Sequence, residues 1–240
     1  MFRRSATAYD VCVTGRTDVP PRTGEAYVGP VHPRAPRVVL VHGTATAPVV
    51  WDRLRPLLDG YDVSAPERPR TGDLKAESAW LANHASGAWV VGMSGGATLG
   101  LELVRNGTPL AGAILHEPAV GSLVTDLLTP VTEAFATDGT PGLARALYGS
   151  SWHPDMVETS DDTTAGELAM FRGFEPGPVS PASGRVLITY GAASPEPRHR
   201  AARALAERFG YAIRALPEAS HFVAWDDPTA FAALIRDVIG

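Results

Sequence analysis

The chain is punctuated by short, uninterrupted apolar runs, each stopping abruptly at a glycine or a polar turn. Val38-Val39-Leu40-Val41 stops at His42-Gly43, and Ala88 to Val91 stops at Gly92. Leu110 to Leu115 gives way to His116-Glu117-Pro118, and Val186 to Tyr190 stops at Gly191. Apolar runs of this length suit strands buried on both faces of a sheet. A further strand is predicted over Tyr211 to Leu216. Helix-like segments fill the intervals, near Trp51 to Leu58, Leu74 to His84, Ala97 to Arg105, an Ala- and Arg-rich stretch ending at Phe209, and a terminal helix from about Pro228. Strands that alternate with helices predict an α/β fold around a mostly parallel sheet.

Two stretches break this alternation. Before Arg37, β-prone pieces such as Tyr9 to Val13 are separated by Pro20-Pro21, Gly29-Pro30 and Pro33, which predicts edge strands joined by turns. Between Glu117 and Arg185 the chain is far longer than an ordinary connection needs, so it must carry structure of its own. Helical patches at Leu123 to Ala136, Leu143 to Leu147 and Thr164 to Phe171 predict a helical lid over residues 122–184, inserted into a single domain spanning 1–240. The lid's Trp152, His153, Met156, Met170, Phe171 and Phe174 suit a substrate pocket and core packing equally well.

Composition narrows the functions. A chain of 240 residues, 45% hydrophobic and 20% charged, can bury a full core as an ordinary globular protein. The formal net charge is −5, Lys75 is the only lysine, and the arginines are spread along the sequence. That pattern argues against a nucleic-acid partner and for a small-molecule substrate. Cys12, the only cysteine, cannot form an intrachain disulfide; a packing role and a reducing compartment are expected. Arg3-Arg4 are not followed by the apolar run of an export signal, and no segment approaches the roughly 20 apolar residues of a membrane span. The expectation is a cytoplasmic protein without membrane association. Neither an HExxH spacing nor a GxGxxG after a strand is present, so no metal and no cofactor are expected.

The candidate chemistry lies where the strands stop. Gly92-Met93-Ser94-Gly95-Gly96 joins the strand Ala88 to Val91 directly to the helical run Ala97 to Arg105. A serine at such a turn holds its oxygen above the sheet, and flanking glycines remove Cβ groups that would clash. Ser94 is therefore the candidate nucleophile. His42-Gly43-Thr44 ends an earlier strand, where acyl transfer needs a backbone N–H for the developing oxyanion. Thr44 and Gly95 are the candidate amide donors, while His42 is read as shaping its loop. Among seven histidines, only His221 combines a loop after a late strand with the order serine first, histidine last. It is the candidate general base.

Together, Val38 to Gly43, Gly92 to Gly96, Val186 to Gly191 and Ser220-His221 resemble the α/β-hydrolase superfamily, from about Arg37 to the C-terminus. The resemblance implies a mostly parallel sheet of eight strands, or slightly fewer, flanked by helices. It also implies a lid between the strand ending near Leu115 and the strand starting near Arg185. A serine at 94 sets the chain apart from haloalkane dehalogenases and epoxide hydrolases, which use an aspartate there. The family usually places its triad acid a few residues past the glycine ending the penultimate strand. Here that segment reads Gly191-Ala192-Ala193-Ser194-Pro195-Glu196, and a hydroxyl at Ser194 cannot stabilise an imidazolium as a carboxylate does. Glu117 and Glu196 are the available substitutes. Glu117 is favoured, because a strand end is more rigid than a proline-flanked loop and some hydrolases of the superfamily carry the acid there; a dyad or another residue stays open. Asp226 and Asp227 follow His221 too closely to orient it and are expected to cap the terminal helix before Pro228.

These residues predict a serine hydrolase acting on a carboxylic ester, lactone or thioester of a small molecule through an acyl-enzyme at Ser94. The same constellation also serves carbon–carbon hydrolysis, lyase, cyclase and acyl-transfer chemistry. A non-catalytic small-molecule binding protein is the alternative from another class, to which Ser194 lends weight. The strained turn at Ser94, of no use to a binding protein, argues against it.

Overall fold

The computed structural model of the protein describes residues 35–240. Six strands form one sheet: β1 (Arg37–Val41), β2 (Asp62–Ser64), β3 (Trp89–Met93), β4 (Gly112–His116), β5 (Arg185–Gly191) and β6 (Ala212–Leu216). Their order is β2-β1-β3-β4-β5-β6, and every neighbouring pair is parallel. The expected α/β sheet is thus present in a shortened form, with six strands among the described residues. The readings of Tyr9 to Val13 as an edge strand and of Cys12 as a packing residue lie outside the described residues.

The apolar runs became the central strands because helices cover both faces. Alternate residues diverge: Val38, Leu40, Val91, Ile114 and Leu187 enter one core, while Val39, Val41, Val90, Ala113 and Ile188 enter the other. The first core is closed by α7 (Pro228–Ile239) through Phe231 and Ile235. The second is closed by α1 (Leu74–Ala85), α2 (Gly95–Arg105) and α5 (Glu196–Phe209). Asp227 caps α7 by accepting from the Ala230 N–H at 3.0 Å, as expected; Asp226 instead ends the short helix α6 (Val223–Asp226).

Two readings need correction. Trp51 to Leu58 is not an α-helix but part of two 3-10 turns, Pro48–Trp51 and Arg55–Leu57, because Pro56 has no N–H for the helical ladder. Strand β2 was not foreseen: its three residues form an edge and bury no continuous apolar run.

The segment between β4 and β5 is helical. It begins with a 3-10 turn at Gly121–Val124, contains α3 (Thr129–Tyr148) and α4 (Asp161–Arg172), and ends with a 3-10 turn at Pro181–Ser183. α3 breaks at Asp138 and Gly139, and the carboxylate of Asp161 accepts from the Thr140 N–H at 2.8 Å, capping its second half. Among the described residues, no helix is long and apolar enough to cross a membrane.

The strand order reverses about β1: the chain passes to β2 on one side and then to β3 on the other. In open parallel sheets such a reversal leaves a crevice beyond the carboxyl ends of the two strands. The loop starting at His42 and the turn at Ser94 both open into that crevice.

Candidate active site

Ser94 occupies the single-residue turn between β3 and α2, with φ 56° and ψ −123°. A side chain rarely adopts this conformation, which costs on the order of 1–3 kcal/mol and needs neighbours that hold it. The Ser94 N–H donates to His116 O at 2.9 Å, and its carbonyl accepts from the Thr98 N–H at 3.0 Å and the Thr98 hydroxyl at 3.1 Å. Thr98 Oγ1 in turn accepts from the Ala119 N–H at 2.9 Å, tying α2 to the loop after β4. The flanking glycines are steric requirements. A Cβ at Gly96 would lie 2.0 Å from Val41 O, and one at Gly92 would lie 2.6 Å from Gly96 O.

His221 lies between β6 and α6 and is buried. Its Nδ1 is 2.7 Å from Glu117 Oε2. A carboxylate only accepts, so Nδ1 carries the proton and Nε2 keeps its lone pair; Nε2 is buried without a hydrogen-bond partner. Burial and the charge of Arg198 lower the pKa of His221 to about 4 despite the opposing pull of Glu117, which keeps the ring neutral near pH 7. Burial alone would raise the Glu117 pKa. The hydrogen bond with His221 and the positive charges around it prevail, holding the carboxyl well below the usual carboxylate range.

Every polar atom of Glu117 is engaged. Its N–H donates to Thr189 O at 2.9 Å, and Oε1 accepts from the Gly191 N–H at 2.8 Å. Its carbonyl accepts from Arg198 Nη1 at 3.2 Å, while Arg198 Nε lies 3.6 Å from Oε2. This fixes a backbone at φ 49° that would otherwise be unfavourable. His116 steadies the loop of His221 from the other side: Nε2 donates to Ser220 O at 3.2 Å, and Nδ1 accepts from the Thr189 hydroxyl at 3.0 Å.

The two candidate amide donors flank the serine. Gly95 opens α2, where the first N–H groups have no partner within the helix and the helix dipole is positive. The Gly43 carbonyl accepts from the Thr46 hydroxyl at 2.9 Å and from His42 Nδ1 at 3.1 Å. In a trans peptide the Thr44 N–H points the opposite way. His42 Nε2 accepts from the Arg68 N–H at 3.2 Å, so His42 shapes the loop, as its position suggested. Burial and Arg68 keep its pKa well below the ordinary value.

Glu196 is not gathered into this group. It is exposed on the first turn of α5, paired with Arg203 and, at 3.3 Å, with His199. Ser194 is buried and its hydroxyl has no partner. Of the six insertion residues singled out from the sequence, only Phe171 lines the cavity containing Ser94, Thr44 and Gly95. Trp152 and Met156 join one sheet core and Met170 and Phe174 the other, while His153 is exposed. The remaining cavity wall comes chiefly from Leu128, Val131, Leu143, Leu147 and Leu168.

Three contributors were not singled out from the sequence. Arg198 falls on the same stripe of α5 as Ala201, Ala202 and Leu205, and that helical spacing is the signal that it is buried. Tyr148, at the end of α3, donates its hydroxyl to Thr44 O at 2.7 Å and stacks on His221 with 5.6 Å between ring centres. Burial raises its pKa, so it stays a donor. Arg68 is sequestered with two carboxylates, Glu77 of α1 at 2.7 Å and Glu167 of α4 at 2.5 Å, and its Nη1 donates to His42 O at 3.2 Å. This buried cluster ties the insertion to the loop carrying Thr44. Among the described residues, no group of three or more His, Cys, Asp or Glu side chains gathers as a metal site.

A sequence profile of the alpha/beta hydrolase family matches residues 38–234. No curated protein sequence matches the chain. Among solved structures it is similar to a carboxylesterase from Nitrososphaera gargenis, with 14% identity, coverage of 86% of this chain and 90% of that one, and a TM-score of 0.65. It is also similar to an enol-lactonase from Burkholderia xenovorans, with 17% identity, coverage of 87% and 93%, and a TM-score of 0.62. A haloalkane dehalogenase from Bradyrhizobium elkani shares 14% identity, with coverage of 87% and 91% and a TM-score of 0.56. Identities this low describe a shared fold, and these neighbours differ in their chemistry. The profile, in contrast, runs through the whole sheet and spans the residues from Thr44 to His221: the chain belongs to the alpha/beta hydrolase family.

Proposed function

We propose that the protein is a serine hydrolase of carboxylic esters, lactones or thioesters of small molecules, with Ser94, His221 and Glu117 as its triad. The observation that carries this reading is the 2.7 Å contact between His221 Nδ1 and Glu117 Oε2, which leaves Nε2, without a hydrogen-bond partner, as the basic nitrogen of the ring. Ser94 Oγ attacks the carbonyl carbon while His221 Nε2 takes its proton, and the Thr44 and Gly95 N–H groups stabilise the oxyanion. Collapse breaks the bond to the leaving oxygen or sulfur, which takes the proton back from His221; the alcohol or thiol departs from an ester or thioester and stays tethered to the acyl group of a lactone. Water then repeats the sequence on the acyl-enzyme, giving the free acid and restoring Ser94.

Glu117 keeps the imidazole in the required tautomer and stabilises its transient charge. The helices between β4 and β5 act as the lid, closing the cavity from water. The site is expected to work without a metal or cofactor in a cytoplasmic setting. Turnover of 4-nitrophenyl acetate tests the reading. Ser94→Ala and His221→Ala should each reduce it to background; turnover retained by Ser94→Ala refutes an acyl-enzyme at this position.

A further inference from the structure

Two cavities meet at the same pair of side chains. The inner one, about 20 Å³, is bounded by Ser94, Thr44 and Gly95 on one side and by aliphatic side chains of α3 and α4 on the other. The outer one is an open groove of about 380 Å³, running from Val120 and Ser122 past Thr125 to Thr132. Leu128 and Phe171 line both and form the partition. Phe171 is buried against the serine turn: a Cβ at Gly95 would lie 2.5 Å from its Cε2. Leu128, just ahead of α3, is only partly buried.

The two volumes dictate how a substrate must sit. A space of about 20 Å³ holds roughly one water molecule, so an acyl group beside Ser94 requires lining side chains to move. The groove, at about 380 Å³, falls within the range of small-molecule sites. The backbone of α4 is anchored one turn before Phe171 by the buried pair of Glu167 with Arg68. Rotation of the two partition side chains is therefore an easier opening than displacement of the helix.

We infer that the groove binds the bulky part of the substrate and that Phe171 and Leu128 are the gate through which its scissile bond reaches Ser94. The inference rests on the serine-hydrolase reading and adds a substrate class to it. The groove mixes apolar walls at Val124 and Leu127 with exposed threonines at 125 and 129. One of its two carboxylates, Glu175, is already committed to the Ser122 N–H at 2.9 Å and hydroxyl at 2.8 Å. Glu133 and Arg172 also line it and are exposed, so the groove suits a bulky group carrying both apolar surface and polar atoms. Leu143, Leu147 and Leu168 offer the inner cavity a small aliphatic part instead. The substrate is accordingly an ester-type compound that joins a small aliphatic piece to a bulky piece of mixed polarity.

The test compares Ser94 modification by two fluorophosphonates, diisopropyl fluorophosphate and one with a rhodamine tail. Thr125→Trp, which fills the groove, should slow the tailed reagent at least tenfold more than the small one. Phe171→Ala and, separately, Leu128→Ala should speed modification by the tailed reagent severalfold. A ratio of rates unchanged within twofold in Thr125→Trp, or no gain in either gate variant, overturns the groove and gate. Failure of the wild-type protein to react with the small reagent is a different result: it overturns the serine-hydrolase reading itself, and this inference with it.

Discussion

His221 Nδ1 and Glu117 Oε2 meet at 2.7 Å, although the two residues are 104 positions apart and stand at the ends of different strands. The loop after β5, where the acid is usually carried, presents a buried hydroxyl at Ser194 instead. Glu117→Gln should lower kcat by about three to four orders of magnitude, because the amide can hold the ring in the wrong tautomer and cannot stabilise its charge. Glu196→Gln, which alters only an exposed ion pair, should remain within about twofold of wild type. Steady-state kinetics on one ester decides between them; equal activity of Glu117→Gln and wild type removes Glu117 from the triad.

Arg198 acts on the same pair from the wall of the cavity that holds Ser94. His221 is surrounded by Glu117, His116, Arg198 and Tyr148, and Arg198 is one of the forces lowering its pKa. The proposed mechanism requires neutral His221, so kcat/KM should fall as pH drops through about 4. Arg198→Leu should move that acid limb upward by about one pH unit, whereas Arg198→Lys should keep it near its original position. An unmoved limb in Arg198→Leu shows that the guanidinium only packs there.

The buried cluster around Arg68 carries stability. Arg68→Met would leave Glu77 and Glu167 buried without their cation, and Glu167 already has one oxygen with no partner. A loss of about 3–5 kcal/mol is expected on urea unfolding. A change below about 1 kcal/mol would mean that the two carboxyls find other partners or take up protons at little cost.

How much of this was legible in the sequence depended on which force placed each residue. Strands β1, β3, β4 and β5 could be read because burial on both faces demands apolar runs. β2 could not, since an edge strand of three residues leaves no such mark. Ser94 and His221 were marked by local motifs in a fixed order, and Glu117 by the rigidity of a strand end. Arg68 and Tyr148 carried no local mark. Their roles come from contacts with residues 99 and 104 positions away, Glu167 and Thr44, and a buried arginine runs against every hydropathy rule. The insertion's helices were found approximately, yet most of its large aromatic and methionine side chains went to the cores, and its share of the cavity wall fell to Phe171, leucines and a valine.

The central claim is an activated serine at position 94, and the most direct measurement is reaction of the folded protein with a small fluorophosphonate, with the adduct mapped by mass spectrometry. The account predicts a single adduct on Ser94 that disappears when the protein is heat-denatured before exposure. A folded protein that gains no adduct, or gains it equally after denaturation, would contradict it.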